Sequence, residues 1–249
     1  MVWGMSLPSS FGDYWPEGRF EADPQQPRSP DWGDRLREYY FSQPPDVQRE
    51  LYDHRGDDSL AASSYPYFVS LKFVTEQGVS INAEMPPITP VKPHEPPRFY
   101  QTWKNQKNLA SLVKLSDRII AVDDVLKSVI EKCEPNVHRF YPIEIKMRGG
   151  QVYPIAYYTL VICQYMDSFS PERSKKDAVE KWEGYDLYNH DDSRVGISGL
   201  AFKKSIFGES QLWRERRFTS LLTCFSDELQ AKIAEAGLRI PKHYKMMEV

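Results

Sequence analysis

Apolar residues change their spacing along this chain, and the clearest succession lies in its second half. Residues 118–122 form a short apolar run that predicts a strand. Behind Asp123, a good helix N-cap, Val125, Leu126, Val129, Ile130 and Cys133 then share one face at helical spacing. Pro135 and Asn136 end that helix, and residues 137–147 predict a further strand. Val137, Tyr141, Ile143, Ile145 and Met147 lie on one of its faces, with His138, Glu144 and Lys146 on the other. That is the alternation of a half-buried antiparallel strand.

About a hundred residues later the same order returns. Residues 221–225 predict a strand, Ser226 a cap, Leu229 and Ile233 a helical face, Gly237 a C-terminal cap and residues 243–249 a closing strand. At an offset of 103, Asp124 matches Asp227, Leu126 matches Leu229 and Ile130 matches Ile233. With one gap, Glu144 and Ile145 match Glu248 and Val249. The pattern is that of a strand–helix–strand duplication. Between the copies, residues 148–151 predict a tight turn into a long strand over 152–164. Residues 175–182 suggest a short exposed helix, 189–193 a loop, and 200–206 and 213–218 two more strands.

The first hundred residues are broken by proline. Fourteen of the 19 prolines precede residue 98. Residues 31–41 and 46–54 predict short helices on either side of Pro44-Pro45. Residues 67–75 and 79–85 read as a hairpin around Gly78, and a proline-rich connector follows. The whole predicts an α+β protein, mostly antiparallel sheet with a few short helices. It divides into a proline-rich, acidic region over 1–108 and an α+β domain over 109–249.

Composition narrows the function classes. Hydrophobic residues make up 41% of the 249, enough for a packed core, and the 13% that are aromatic serve core and interface alike. Three widely spaced cysteines argue for reduced thiols rather than a disulfide framework, hence a cytoplasmic setting. No apolar run reaches membrane-spanning length. Net charge is −3, with 12 acidic and 6 basic residues in 1–64, which speaks against a nucleic-acid partner.

Candidate chemistry is thin. Cys133 and His138 make a lone C-x4-H with no partner pair, and Cys133 sits on an apolar helix face, so a buried thiol is favoured over a metal ligand. His190-Asp191-Asp192 is the best cluster for a base beside carboxylates, although these are also ordinary turn residues. Gly149-Gly150 and Gly196-Gly199 lack the context of a phosphate loop. Trp213 stands near Arg214, Arg216 and Arg217, which could contact phosphate, but the interleaved Glu215 and the adjacent apolar strand favour an exposed strand edge. No catalytic residue, cofactor or metal is implied.

From about Leu109 to the C-terminus the chain resembles bacterial immunity proteins of polymorphic toxin systems, immunity family eleven. The resemblance rests on residues 120–124 with their helix, 138–143, Tyr157-Tyr158 running into 166–174, 211–214, 225–229 and 236–238. It departs at Asp123, where the family's helix start usually has Ser, and it covers residues 1–108 poorly. It implies a cytoplasmic protein that protects its cell by binding a cognate toxin, with no catalytic residues to carry over. Aromatic and acidic residues in a polar segment without core periodicity then become candidate contacts: Trp182, Tyr185, Tyr188, His190, Asp191 and Asp192. The competing readings are a hydrolase that reverses a toxin-made modification, using His190 with Asp191 or Asp192, and a structural scaffold.

Overall fold

A computed structural model describes residues 1–23, 30–52, 58–82, 85–220 and 222–249, the side chains of 58–63 excepted. It is an α+β fold built on two six-stranded, mostly antiparallel sheets.

The first sheet has the order β2 (Gly18–Phe20), β3 (Phe99–Thr102), β6 (Arg139–Lys146), β7 (Tyr157–Val161), β5 (Ile120–Asp123) and β4 (Leu112–Lys114). The second runs β11 (Ala201–Phe202), β14 (His243–Glu248), β1 (Val2–Met5), β13 (Thr223–Ser226), β12 (Leu212–Glu215) and β8 (Tyr165–Met166). Helix α4 (Asp124–Cys133) joins β5 to β6, and α7 (Asp227–Glu235) joins β13 to β14.

These two sheets carry the duplication. The order β3-β6-β7-β5-β4 in one matches β11-β14-β1-β13-β12 in the other, and every pairing agrees in sense, parallel or antiparallel. Register makes the match residue by residue. Leu112 faces Val122 as Leu212 faces Phe225, and Tyr157 faces Ile143 as Val2 faces Met246. Ile143 is thus equivalent to Met246, so the offset of 103 continues through the closing strands. The gap expected from sequence is not there, and Glu144 pairs off with Met247 rather than Glu248. The strand completing the second repeat, β1, comes from the N-terminal end of the chain.

Local chemistry sets the repeated helices. The Asp123 carboxylate accepts from Leu126 N at 2.8 Å and the Ser226 hydroxyl from Leu229 N at 3.0 Å. Both satisfy an orphan donor of the first turn. Gly237 at φ +65 ends α7 where a left-handed residue is needed. Leu126, Ile130, Leu229 and Ile233 meet Met5, Leu112, Ile120, Leu160, Leu212 and Phe225 in one core shared by both repeats. A second core lies behind the first sheet under α1 (Trp32–Ser42) and α3 (Asp58–Leu71), and a third behind the second sheet.

Several expectations change here. The segment read as a hairpin over 67–85 is instead the end of α3 and a series of turns. Tyr65, Phe68, Val69, Lys72 and Phe73 are all buried, and their spacing is helical despite their strand-favouring side chains. Residues 79–82 form no strand, and 83–84 lie outside the described residues. The helix expected over 46–54 is α2 (Pro45–Leu51), and 53 and 54 are likewise undescribed. The long strand over 152–164 shortens to β7, because Pro154 lies in a turn region. Residues 175–182 hold no helix but strand β9 (Val179–Lys181), paired with β10 (Tyr188–His190), which takes in part of the expected loop. Residues 200–206 divide between β11 and α6 (Lys204–Phe207). Strand β12 is no exposed edge: Trp213, Arg214 and Glu215 are all buried between β13 and β8.

Candidate functional site

The β9–β10 hairpin projects from the second sheet, and its tip is aromatic. Trp182 and Tyr185 are 49% and 61% exposed, with ring centroids 5.3 Å apart. Trp182 N donates to Leu187 O at 2.8 Å and Tyr185 N to Trp182 O at 3.2 Å, while Gly184 at φ +83 makes the reversal between them. The base of the hairpin is anchored. Tyr188 is buried against Phe169 at 5.1 Å, and the Arg217 guanidinium sits over its ring at 5.2 Å. Arg217 also donates to Asp186 at 2.8 Å, tying the tip to the sheet.

The six candidate contacts therefore occupy four places. Trp182 and Tyr185 form the exposed tip, and Tyr188 is a core residue. Asp191 turns into its own loop and accepts from Ser193 N and Oγ, and the Ser193 hydrogen bonds hold its carboxyl below the usual range. Gly196 has to be glycine for this loop to pack, since a Cβ there would lie 2.2 Å from Asp191 O. His190 and Asp192 face a cleft of about 260 Å3.

That cleft lies where the two repeats meet. Strands β4 and β12 contribute Lys114 and Arg214, the β4–β5 turn contributes Arg118, and Ser9, Ser220 and Thr223 also line it. The His190 side chain is 1% exposed. Its Nε2 is 3.2 Å from Ser220 Oγ, and its Nδ1 is 3.4 Å from Asp192 Oδ1 without a hydrogen bond. A serine, an imidazole and a carboxylate are thus in sequence, but the contact that would orient the ring is missing. Arg214 is buried, and burial draws its pKa down; its Nη1 donates to Val74 O at 2.7 Å and its Nε has no partner. Lys114 donates to Pro8 O at 3.1 Å and lies 3.6 Å over the Trp15 ring. Burial, then the Arg118 charge, lowers its pKa.

The lone Cys133 and His138 do not meet as ligands. His138 Nδ1 accepts from Cys163 N at 3.3 Å, so Nε2 carries the proton and donates to Glu134 at 2.8 Å. Glu134 also accepts from Gln164 and from the backbone N–H groups of Gln211 and Leu212. Burial raises its pKa, but these donors outweigh that and hold it below the ordinary range. The cluster bolts the end of α4 to the start of β12. Among the described residues no set of three His, Cys, Asp or Glu is arranged to hold a metal.

Sequence reasoning missed Lys114, Arg118 and Ser220, and it took Arg214, one of three arginines near Trp213 that could contact phosphate, for part of an exposed strand edge. One signal for two of them exists, because Lys114 and Arg214 hold the same register position in the two repeats, opposite Ile120 and Thr223. It becomes visible only once strands β4 and β12 are superposed, at an offset of 100 rather than 103.

Residues 39–247 match the model of the immunity protein family (Imm11), a span that begins well before the residue 109 expected from the sequence. No curated protein matches the chain.

Proposed function

The chain belongs to the immunity protein family (Imm11), and from that premise we propose that it binds a cognate toxin in the cytoplasm and neutralises it by contact rather than by catalysis. The family match over 39–247 carries this reading, and the β9–β10 hairpin supplies a surface suited to it. Trp182 and Tyr185 present large, rigid, solvent-exposed rings on an anchored arm, which is the composition of interface hot spots. No helix among the described residues is long and apolar enough to cross a membrane.

Electrostatic steering by the N-terminal acidic residues gains less support. Asp13 pairs with Arg239, Glu17 with Lys104, Glu21 with Arg35 and Arg98, Asp31 with Arg19 and Asp34 with Arg37. Five of the twelve acidic residues of 1–64 are thus met by cations within the fold. This supports the aromatic hairpin over the acidic residues as the surface for the toxin contact.

The test is co-expression with the toxin encoded next to the gene, followed by titration of toxin activity with purified protein. A binder abolishes activity at one equivalent, and the double variant Trp182→Ala/Tyr185→Ala weakens the complex by about thirty-fold or more, the scale of a hot spot. Unchanged affinity in that variant removes the hairpin from the interface. The Ser220–His190–Asp192 alignment favours a second reading, a hydrolase. Protection at far below one equivalent, lost in Ser220→Ala, would establish it instead.

A further inference from the structure

The cleft between the repeats carries more positive than negative charge. Lys114, Arg118 and Arg214 converge on it, and among the described residues Asp192 is the one carboxylate in its lining, leaving a surplus of two positive charges. Among the described residues no carboxylate pairs with any of the three cations at ion-pair distance. Arg214 is 3% exposed, and a guanidinium so deeply buried ordinarily has its fork filled by an acid. Here a single carbonyl, Val74 O, takes one arm, and Nε is left without an acceptor.

The backbone presents the third cation at a cost. Asp117 and Arg118 both have left-handed φ angles, +55° and +61°, at the centre of the β4–β5 turn, where Asn-Gly is the usual solution. Two consecutive non-glycine residues in that region cost on the order of 1 kcal/mol or more each. Among the described residues Arg118 has no hydrogen-bond or ion-pair partner there that would offset this cost. Neutral donors complete the lining, since Ser9, Ser220 and Thr223 each bring a hydroxyl.

We propose that this cleft binds a phosphoryl dianion, held by Arg214, Arg118 and Lys114 across the junction of the two repeats. Charge selects the ligand class. A dianion neutralises the surplus, and a tetrahedral oxyanion offers acceptors for the Arg118 fork, the Arg214 guanidinium and the Lys114 ammonium, which already donates to Pro8 O. The volume of about 260 Å3 admits more than bare phosphate, so the phosphoryl group arrives either free or on a small carrier such as a nucleoside monophosphate. The site does not depend on the toxin-binding reading and is tested on the protein alone.

The experiment is calorimetric titration of the full chain with inorganic phosphate, adenosine monophosphate and sodium acetate at matched ionic strength. Alongside it, the arginine Nε–H resonances are followed by 15N-edited NMR. One saturable site for phosphate or the monophosphate, none for acetate, and a shift of the Arg214 Nε–H signal on binding are expected. Tighter binding of the nucleotide identifies a carried phosphoryl group, and equal binding a free one. Arg118→Asn keeps a residue that tolerates left-handed backbone while removing the guanidinium, so its fold is retained. It should weaken binding about ten- to hundred-fold, the loss of one charge-assisted contact. Absence of saturable binding, equal binding of acetate, or unchanged affinity in Arg118→Asn would overturn the assignment.

Discussion

Glu215 gives the sharpest stability prediction. It is fully buried on β12, and its Oε2 accepts from Ser168 N at 2.9 Å, Ser168 Oγ at 2.8 Å and Phe169 N at 3.0 Å. Its Oε1 receives one long contact, Arg217 N at 3.3 Å. No cation pairs with it among the described residues. Burial pushes its pKa up from 4.5 to about 7, and the four donated hydrogen bonds only moderate the rise. Between about pH 4.5 and 7 the folded protein therefore holds a proton on this group that the unfolded chain has already released. Stability falls as pH rises from about 4.5 to about 7, because the native state binds more protons across that window. At about 1.4 kcal/mol per pH unit the decline attributable to Glu215 is about 3 kcal/mol. His94 works against it, since burial first of all lowers its pKa below 6.5, and stability from that group increases with pH. Comparison with Glu215→Gln isolates the carboxyl, because the amide mimics the protonated form: its oxygen keeps the three Oε2 contacts. Urea unfolding of both proteins at half-unit steps from pH 4.5 to 7.5 should show the wild type losing about 3 kcal/mol relative to the variant. A difference that stays flat across that range would refute the reasoning.

Three further outcomes follow from packing. Asp123→Ala and Ser226→Ala should each lower stability by about 1 kcal/mol in chemical denaturation. The loss should be larger at Ser226, whose hydroxyl also donates to Gln211. Leu126→Ala and Leu229→Ala, at equivalent buried positions, should cost similar amounts, about 2–5 kcal/mol each by the same assay. Lys72→Met should destabilise by about 3–5 kcal/mol, because it leaves Glu95, fully buried and 2.5 Å from Lys72 Nζ, without its cation. Adding Glu95→Gln should then recover part of that loss.

The sequence exposed those features whose partners lie close along the chain. The caps at Asp123 and Ser226 and the apolar faces of α4 and α7 are contained within ten residues, so spacing alone declares them. The α+β class follows from the same local rhythm. The α3 segment misled because Tyr65, Phe68, Val69 and Phe73 have strand-favouring side chains, while their helical spacing is interrupted by Pro66 and a polar Lys72. That lysine is buried only because Glu95 arrives from the proline-rich connector. Arg214 and Glu215 read as surface residues for the same reason. Their partners, Val74 and Ser168, sit 140 and 47 residues away, and no local pattern announces them. The candidate site divided likewise. Trp182 and Tyr185 stand in a polar stretch and are exposed, whereas the cations that share a cleft with His190 come from strands that meet only in three dimensions.

The borrowed strand β1 also dictates an order of events in the cell. Its four residues leave the ribosome more than two hundred residues ahead of their neighbours on both sides, β13 and β14. At about 5–20 residues per second, Val2 waits roughly ten seconds or more before Met246 exists to pair with it. The first sheet, whose equivalent strand β7 follows β6 directly, can form in the meantime. A nascent or prematurely ended chain thus carries one finished repeat beside an open edge on the other, the kind of exposed pairing surface that chaperones shield and proteases clear. Synthesis through β14 is built into the topology as a condition for the second repeat, and with it for both the aromatic arm and the charged cleft.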